Sequence, residues 1–95
     1  MKYKILIPPL VEETIKILSP SLKSQIRSGL EAIQEDPHIG KHLKRELRGL
    51  WSYRVNRYRI VYRIDHNLIE VQIIDLGPRT IIYDKILTWV RQSHE

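Results

Sequence analysis

The sequence contains no cysteine, and this absence excludes several classes of site. Without thiols the chain can form no disulfide framework, no cysteine-ligated zinc site and no thiol nucleophile. Long hydrophobic runs are also missing, because no uninterrupted apolar stretch exceeds three residues, which excludes a transmembrane helix of about 20 apolar residues. The short run Ile5-Leu6-Ile7 leads into Pro8-Pro9 and is not the apolar region of a secretory signal. We therefore expect a cytoplasmic protein that makes no contact with a membrane.

Motifs for nucleotide cofactors and for metal ions are absent as well. The sequence has no GxxxxGK[ST] loop and no GxGxxG fingerprint, and its carboxylates are scattered, which disfavours a two-metal nuclease. Of the four histidines, His38 and His42 are four apart but straddle Gly40, whereas His66 and His94 are isolated. We therefore interpret them as loop histidines and expect neither a metal ion nor a cofactor.

The length and composition are those of one ordinary globular domain. The chain has 95 residues, of which 42% are hydrophobic and 28% are charged. A disordered chain would be less hydrophobic, and a second hydrophobic core would not fit in this length. We therefore predict a single domain over residues 1–95.

Positive charge is concentrated in the centre of the chain. The net charge is +5, and segment 38–63 holds eight of the sixteen basic residues but only one acid, Glu46. Localised charge of this kind favours a polyanion, either nucleic acid or an acidic protein. A solvated, arginine-rich sheet face would give the same pattern. The eight residues are Lys41, Lys44, Arg45, Arg48, Arg54, Arg57, Arg59 and Arg63.

The first part of the chain has the pattern of a short strand followed by two helices. Residues 2–7 form the strand, which ends at Pro8-Pro9 because proline cannot donate to a ladder. Ser19 and Pro20 fit the cap and the first position of the second helix, and Gly29 within it would be explained by a close approach between the two helices. The predicted apolar faces are Leu10, Val11, Thr14, Ile15 and Leu18 in the first helix, and Leu22, Ile26, Leu30 and Ile33 in the second.

From residue 50 the apolar residues alternate, which predicts three antiparallel strands. Turns are expected near Asn56-Arg57 and His66-Asn67, and the third strand, 68–76, should end at Gly77-Pro78. A terminal helix should follow. The predicted apolar positions are Trp51, Tyr53, Val55, Ile60, Tyr62, Ile64, Ile69, Val71 and Ile73 in the strands, and Tyr83, Ile86, Leu87 and Val90 in the helix.

These elements define an α+β fold with the order β-α-α-β-β-β-α. The helical hairpin and the small antiparallel sheet each have one apolar face, so the hairpin is expected to cover one face of the sheet. The opposite face would then be open and would gather Arg54, Arg59 and Arg63 on neighbouring strands.

The remaining chemistry is that of arginine, lysine and tyrosine. Cleavage of RNA by its own 2′-hydroxyl needs no metal ion and no external nucleophile, but it needs alignment, positive charge on the phosphorane and proton transfer. Arginine binds phosphate oxygens with a planar fork, and tyrosine transfers protons if nearby guanidinium groups lower its pKa. A weak ribonuclease site, an RNA-binding face and a protein-binding face all remain open at this point.

Three ordered segments make the sequence resemble the RelE/ParE superfamily of bacterial toxins. They are G-K-H-L-K-R-E-L-R-G-L-W-S-Y-R-V at 40–55, Y-R-I-V-Y at 58–62 and G-P-R-T-I-I-Y at 77–83. The resemblance implies a microbial-RNase-like fold and the toxin half of a type II toxin–antitoxin pair. It also implies a cognate antitoxin encoded alongside, with oligomers formed only with that antitoxin.

RelE-like members of this superfamily cut mRNA in the ribosomal A site without a metal ion, whereas ParE-like members poison DNA gyrase. The resemblance assigns phosphate contacts to Arg59 and Arg79 and proton transfer to Tyr83. Asn56 stands where some members have a second lysine, proposed as a base, and this departure weakens the nuclease interpretation. We therefore expect a ribosome-dependent endoribonuclease with these three catalytic residues, and a ParE-like gyrase poison is the alternative. The expected RNA-binding residues are Lys41, Lys44, Arg45, Arg48, Arg54, Arg57 and Arg63.

Other interpretations of these residues stay open in the sequence. Arg54 and Arg59 fit a plain sheet surface, Tyr83 fits an aromatic residue that packs the terminal helix, and Arg79 fits a cation near Asp84.

Overall fold

The chain folds as three α-helices on a five-stranded sheet in the computed structural model, which describes residues 2–93. This is the predicted α+β class, and His94 lies outside the described residues. The elements are β1 (Lys4–Leu6), α1 (Pro9–Lys16), α2 (Pro20–Glu35), β2 (Lys41–His42), β3 (Trp51–Val55), β4 (Tyr58–Asp65), β5 (Glu70–Pro78) and α3 (Arg79–Ser93), with 3₁₀ turns at Pro37–Ile39 and Arg45–Leu47.

The sheet has the strand order β1-β5-β4-β3-β2 and is mixed rather than antiparallel. The predicted meander of β3, β4 and β5 is confirmed. However, β1 pairs in parallel with β5, with Ile5 opposite Val71. One strand was not predicted: β2 adds an antiparallel edge to β3 within the segment expected to be a connector.

The third strand of the meander begins and ends later than predicted. Ile69 has a φ of 53° and belongs to the turn, so β5 begins at Glu70. The predicted end at Gly77 and Pro78 is wrong, because these residues pair with β4. β1 pairs with β5 only as far as Gln72. Beyond that point β5 has a free edge, where proline removes no ladder hydrogen bond.

The helical hairpin covers one face of the sheet, as predicted. Ser19 caps α2, since its Oγ accepts from the Leu22 N–H at 3.4 Å. Ile26, Leu30 and Ile33 of α2 are buried with Ile60 and Tyr62 of β4 in the main core. The expectation for α1 was partly wrong, because Leu10 is 78% exposed.

Gly29 marks a close approach between α2 and the sheet, and the predicted approach between the two helices is wrong. A Cβ atom at this position would lie 2.7 Å from Val55 Cγ2 and 3.3 Å from Ile60 Cδ1. The main core therefore needs glycine here for steric reasons.

The opposite face of the sheet is not open, because α3 lies across it. Leu50 and Val61 of the sheet are buried with Ile82 and Ile86 of α3 in a second, smaller core. An irregularity in the pairing between Val61 and Tyr62 accompanies this packing. The exposed arginines of this face therefore lie at the two ends of α3 rather than in one open group.

Candidate functional site

Four arginines surround one groove where α3 begins. Arg54 of β3 and Arg59 of β4 are directly opposite each other in the ladder. Arg79 is the first residue of α3, and its N–H donates to the Arg57 carbonyl in the β3–β4 turn at 2.9 Å. We call this the arginine groove. It has a volume of about 550 Å³ and is lined by Arg54, Asn56, Arg57, Tyr58, Arg59, Pro78, Arg79 and Thr80.

Two of the four guanidinium groups of the arginine groove bind backbone oxygens. Arg59 Nη1 donates to the Tyr58 carbonyl at 3.1 Å, and Arg54 Nε donates to the Asn56 carbonyl at 3.3 Å. No acidic residue lines the groove, and none of the ion pairs within residues 2–93 involves its four arginines. Their charge is therefore not neutralised by the protein and attracts an anion.

Tyr83 lies one helical turn beyond Arg79, beside the arginine groove rather than in its lining. Its hydroxyl is 2.9 Å from the Oγ of Ser52, which is 4% exposed. Ser52 precedes Arg54 by two residues on β3, so the two side chains share a face of the sheet. The half-buried ring of Tyr83 also packs against the second core. Tyr83 therefore has a hydroxyl that carries a proton, and its ring also has the packing role that was the alternative interpretation in the sequence.

Asn56 occupies the tip of the β3–β4 turn and lines the arginine groove. Its φ of 56° lies in the left-handed region, which asparagine adopts more readily than most residues. The residue type at this position therefore fits the two-residue turn. An amide supplies no proton acceptor comparable to an amine base.

The other residues predicted to bind RNA lie away from the arginine groove. Arg63 follows Arg59 by four residues on β4, a separation of roughly 13 Å along the strand. Its Nε and Nη2 donate to Gln72 Oε1 at 3.1 and 2.7 Å. Arg45 and Arg48 line a second groove beside Arg63. Lys41 and Lys44 are exposed, on β2 and just after it respectively.

Ser52, Trp89 and Arg91 were not predicted as site residues. Ser52 had a usable signal, since period-two alternation places it on the same strand face as Arg54. Trp89 and Arg91 had none, because their proximity to Arg63 and to Glu46 depends on the docking of α3.

The Tyr62 side chain lies in the main core. Burial raises its pKa to about 12. Its hydroxyl donates to the Pro37 carbonyl at 2.5 Å, and the side chain is fully buried. Tyr62 therefore belongs to the core, as predicted, and has no access to a substrate.

The rings of His38, His42 and His66 form one cluster with Trp51. His38 Nε2 lies 3.2 Å from His66 Nε2, and the His42 ring stacks on Trp51 with centroids 4.6 Å apart. No group of three or more potential metal ligands occurs within residues 2–93. In the same residues, no helix is long and apolar enough to cross a membrane.

This fold is that of toxins from toxin–antitoxin pairs. The chain superimposes on the RelBE2 toxin–antitoxin complex of Mycobacterium tuberculosis with a TM-score of 0.74 at 27% identity, covering 83% of this chain and 100% of that chain. It superimposes on a mutant of E. coli toxin RelE in the free state with a TM-score of 0.71, covering 88% and 93% of the two chains. The identity to the E. coli protein is 19%, so this second likeness shows a shared fold alone.

The sequence itself defines the family. Residues 6–83 match the family described as "ParE toxin of type II toxin-antitoxin system, parDE". A 50-residue segment is 42% identical to Toxin RelG of Mycobacterium tuberculosis, covering 53% of this chain and 58% of that protein, so the match spans little more than half of this relative. The chain belongs to the RelE/ParE superfamily of toxins of type II toxin–antitoxin systems.

Proposed function

We propose that this toxin is a ribosome-dependent mRNA endonuclease that inhibits translation without a metal ion. The observation that carries the proposal is the arginine groove, in which Arg54, Arg59 and Arg79 are unpaired with acids and the Tyr83 hydroxyl lies one turn away. Such a groove suits a phosphodiester because guanidinium forks match phosphate oxygens.

The proposed reaction uses the 2′-hydroxyl of the RNA as the nucleophile. The 2′-oxygen forms a bond to phosphorus, the bond from phosphorus to the 5′-oxygen of the next nucleotide breaks, and a 2′,3′-cyclic phosphate remains. The 2′-hydroxyl loses a proton, and the leaving 5′-oxygen gains one. Arg59 and Arg79 stabilise the negative charge that develops on the phosphorane oxygens.

Proton transfer is the task that we assign to Tyr83. Asn56 carries no titratable group, so the turn of the arginine groove offers no lysine base. A single tyrosine must then serve the reaction with help from water or from the ribosome. We therefore expect a slower enzyme than one with a complete acid–base pair.

A translation reaction with primer extension on the mRNA tests this function. We expect cuts at fixed positions within codons in the presence of the toxin and ribosomes, and their loss with Arg59→Ala. The proposal fails if the mRNA in this reaction stays intact at a toxin concentration that arrests the growth of cells. In the control, a chelator lowers the divalent metal only to the concentration that the ribosome needs. Cleavage should continue, because the proposed reaction uses no metal ion.

A gyrase poison is the second candidate, because the family profile that matches residues 6–83 is that of ParE toxins. The amide of Asn56 at the arginine groove is consistent with a face that binds protein instead of cutting RNA. Gyrase-dependent DNA breaks with intact mRNA would favour this candidate.

We also propose an acidic antitoxin as the partner of this chain. The net charge of +5 favours a partner of opposite sign, and the exposed apolar side chains Leu10 and Ile17 at the two ends of α1 offer contacts for a helix. The related RelBE2 structure is a toxin–antitoxin complex. We expect the toxin to form oligomers only through this partner. Failure to bind the product of any adjacent open reading frame would refute the pairing.

A further inference from the structure

A second basic groove lies at the other end of α3 from the arginine groove. It has a volume of about 830 Å³, and Leu50 and Val90 form its apolar part. Trp89 borders it and is 41% exposed. We call it the Trp89 groove. Its charged residues are Arg45, Glu46, Arg48, Arg63 and Arg91.

The Trp89 groove has an excess of positive charge. Glu46 is its one acid, and this carboxylate accepts from Arg91 Nε at 3.2 Å. Arg63 binds only the neutral Gln72 side chain. Arg45 and Arg48 take part in none of the ion pairs within residues 2–93. Three guanidinium groups therefore remain without a carboxylate partner, which favours an anionic ligand.

The backbone of the 45–49 segment brings two of these arginines to the groove. Arg45 has a φ of 58°, in the left-handed region that L-residues rarely adopt, and Gly49 has a φ of 89°. Between them, the 3₁₀ turn Arg45–Leu47 reverses the chain, so that Arg45 and Arg48 line the same groove.

The two grooves lie on the same side of the sheet, at opposite ends of α3. Arg59 and Arg63 are separated by roughly 13 Å along β4, and Arg79 and Trp89 by about 15 Å along the helix. A single extended polyanion can therefore contact both grooves. An acidic protein segment would need carboxylates at both ends, whereas RNA carries a phosphate at every nucleotide and also supplies bases that stack on tryptophan.

We propose that the Trp89 groove binds RNA that flanks the cleaved phosphate, with a base stacked on Trp89 and a phosphate held by Arg45, Arg48 and Arg63. This inference rests on the proposed ribonuclease function, because it takes the arginine groove as the position of the cleaved bond. It assigns base contact to a residue outside the proposed catalytic group.

Tryptophan fluorescence tests the inference directly. The chain has two tryptophans, Trp51 and Trp89, so Trp51→Phe leaves Trp89 as the only indole. We expect a short single-stranded RNA to quench this fluorescence and inorganic polyphosphate to compete for binding without comparable quenching. In the native background, Trp89→Leu should weaken RNA binding by about 5- to 150-fold, the range for one stacked base, and Trp89→Phe should restore most of it.

Several outcomes would overturn the inference. RNA binding is measured by the anisotropy of labelled RNA. If Trp89→Leu left this binding unchanged, the proposed stacking contact would be ruled out. If polyglutamate bound more tightly than RNA and Trp89→Leu abolished that binding, the groove would be assigned to an acidic protein. Thermal melts of each variant check that it folds.

Failure of the two proposals can be distinguished. If RNA quenches Trp89 but the translation reaction shows no cleavage, the nuclease is wrong and the Trp89 groove is still an RNA-binding site. If cleavage occurs and Trp89→Leu changes neither RNA affinity nor the cleavage rate, the nuclease stands and the Trp89 groove is wrong.

Discussion

The hydroxyl groups of Tyr83 and Ser52 lie 2.9 Å apart and join α3 to β3. Ser52 is 4% exposed, so this contact holds the phenol oxygen against the sheet beside the arginine groove. The ring of Tyr83 packs on the second core at the same time. Packing and proton transfer are therefore compatible roles for Tyr83, and only a substitution that deletes the hydroxyl separates them.

Tyr83→Phe removes the hydroxyl and keeps the ring. If Tyr83 transfers a proton, single-turnover cleavage on stalled ribosomes should slow by about 10²- to 10⁴-fold. The free energy of unfolding should fall by only about 1 kcal/mol, because Ser52 loses one hydrogen bond and the ring is kept. Near-normal cleavage by Tyr83→Phe, together with unfolding by Tyr83→Ala, would make Tyr83 a packing residue and leave the two arginines as the catalytic group.

Local patterns predicted the elements that depend on neighbours in sequence. The Ser19 cap, the buried face of α2 and the β3–β5 meander follow from side-chain periodicity and turn chemistry, which act over a few residues. The predicted end of β5 was wrong because proline is tolerated at a free sheet edge. Which part of the β5 edge is free depends on how far β1 extends along it.

Long-range contacts explain what the sequence did not reveal about the site. The parallel pairing of β1 with β5 joins residues far apart in the chain, and no periodic pattern specifies it. Docking of α3 on Val61 closed the face that was expected to be open. That docking also divides the arginines into two grooves, so Arg63 was grouped with Arg54 and Arg59 although it lines the other end.

Arg59→Ala and Arg79→Ala should each slow the cleavage step by about 10²- to 10³-fold, the usual loss when one preorganised donor to a developing charge is removed. Ribosome association should persist, since most basic residues remain. Lys16→Ala, on the exposed surface of α1, is the charge-matched control and should cleave normally. A proportional loss of ribosome binding in the arginine variants would show that they act in association rather than in the chemical step.

Lys41, Lys44 and Arg48 should act through long-range charge. Replacing all three with alanine should weaken ribosome association and reduce the slope of log affinity against log salt by about 2, if each contacts a phosphate. Association measured over a series of salt concentrations gives the slope. An unaltered slope would mean that this surface faces solvent in the complex.

Tyr62→Phe should destabilise the protein at neutral pH by roughly 1 kcal/mol, because the buried Pro37 carbonyl loses its donor. The pKa of Tyr62 is raised to about 12 in the folded state, above the ordinary value of about 10. The stabilisation from this hydroxyl is therefore complete below pH 10 and is lost as the pH rises toward 12. Denaturant melts should show the two proteins converging over that interval, and a constant difference would contradict the assignment.

Gly29→Ala should destabilise the main core, although alanine is the better helix former by about 1 kcal/mol. The new methyl group would lie 2.7 Å from Val55 Cγ2 and 3.3 Å from Ile60 Cδ1. Both neighbours are buried, so they have little room to move, and overpacking of this kind costs about 1–3 kcal/mol. The clash should therefore exceed the gain in helix propensity and lower the melting temperature.

Ser28→Ala is the matched control for Gly29→Ala. Position 28 is exposed on the same turn of α2, so alanine there gains helix propensity without meeting the sheet. Its melting temperature should equal or slightly exceed that of the unmodified protein. If Gly29→Ala were as stable as Ser28→Ala, α2 would have to move away from β3 and β4 at little cost, and the close approach would not be what requires glycine at position 29.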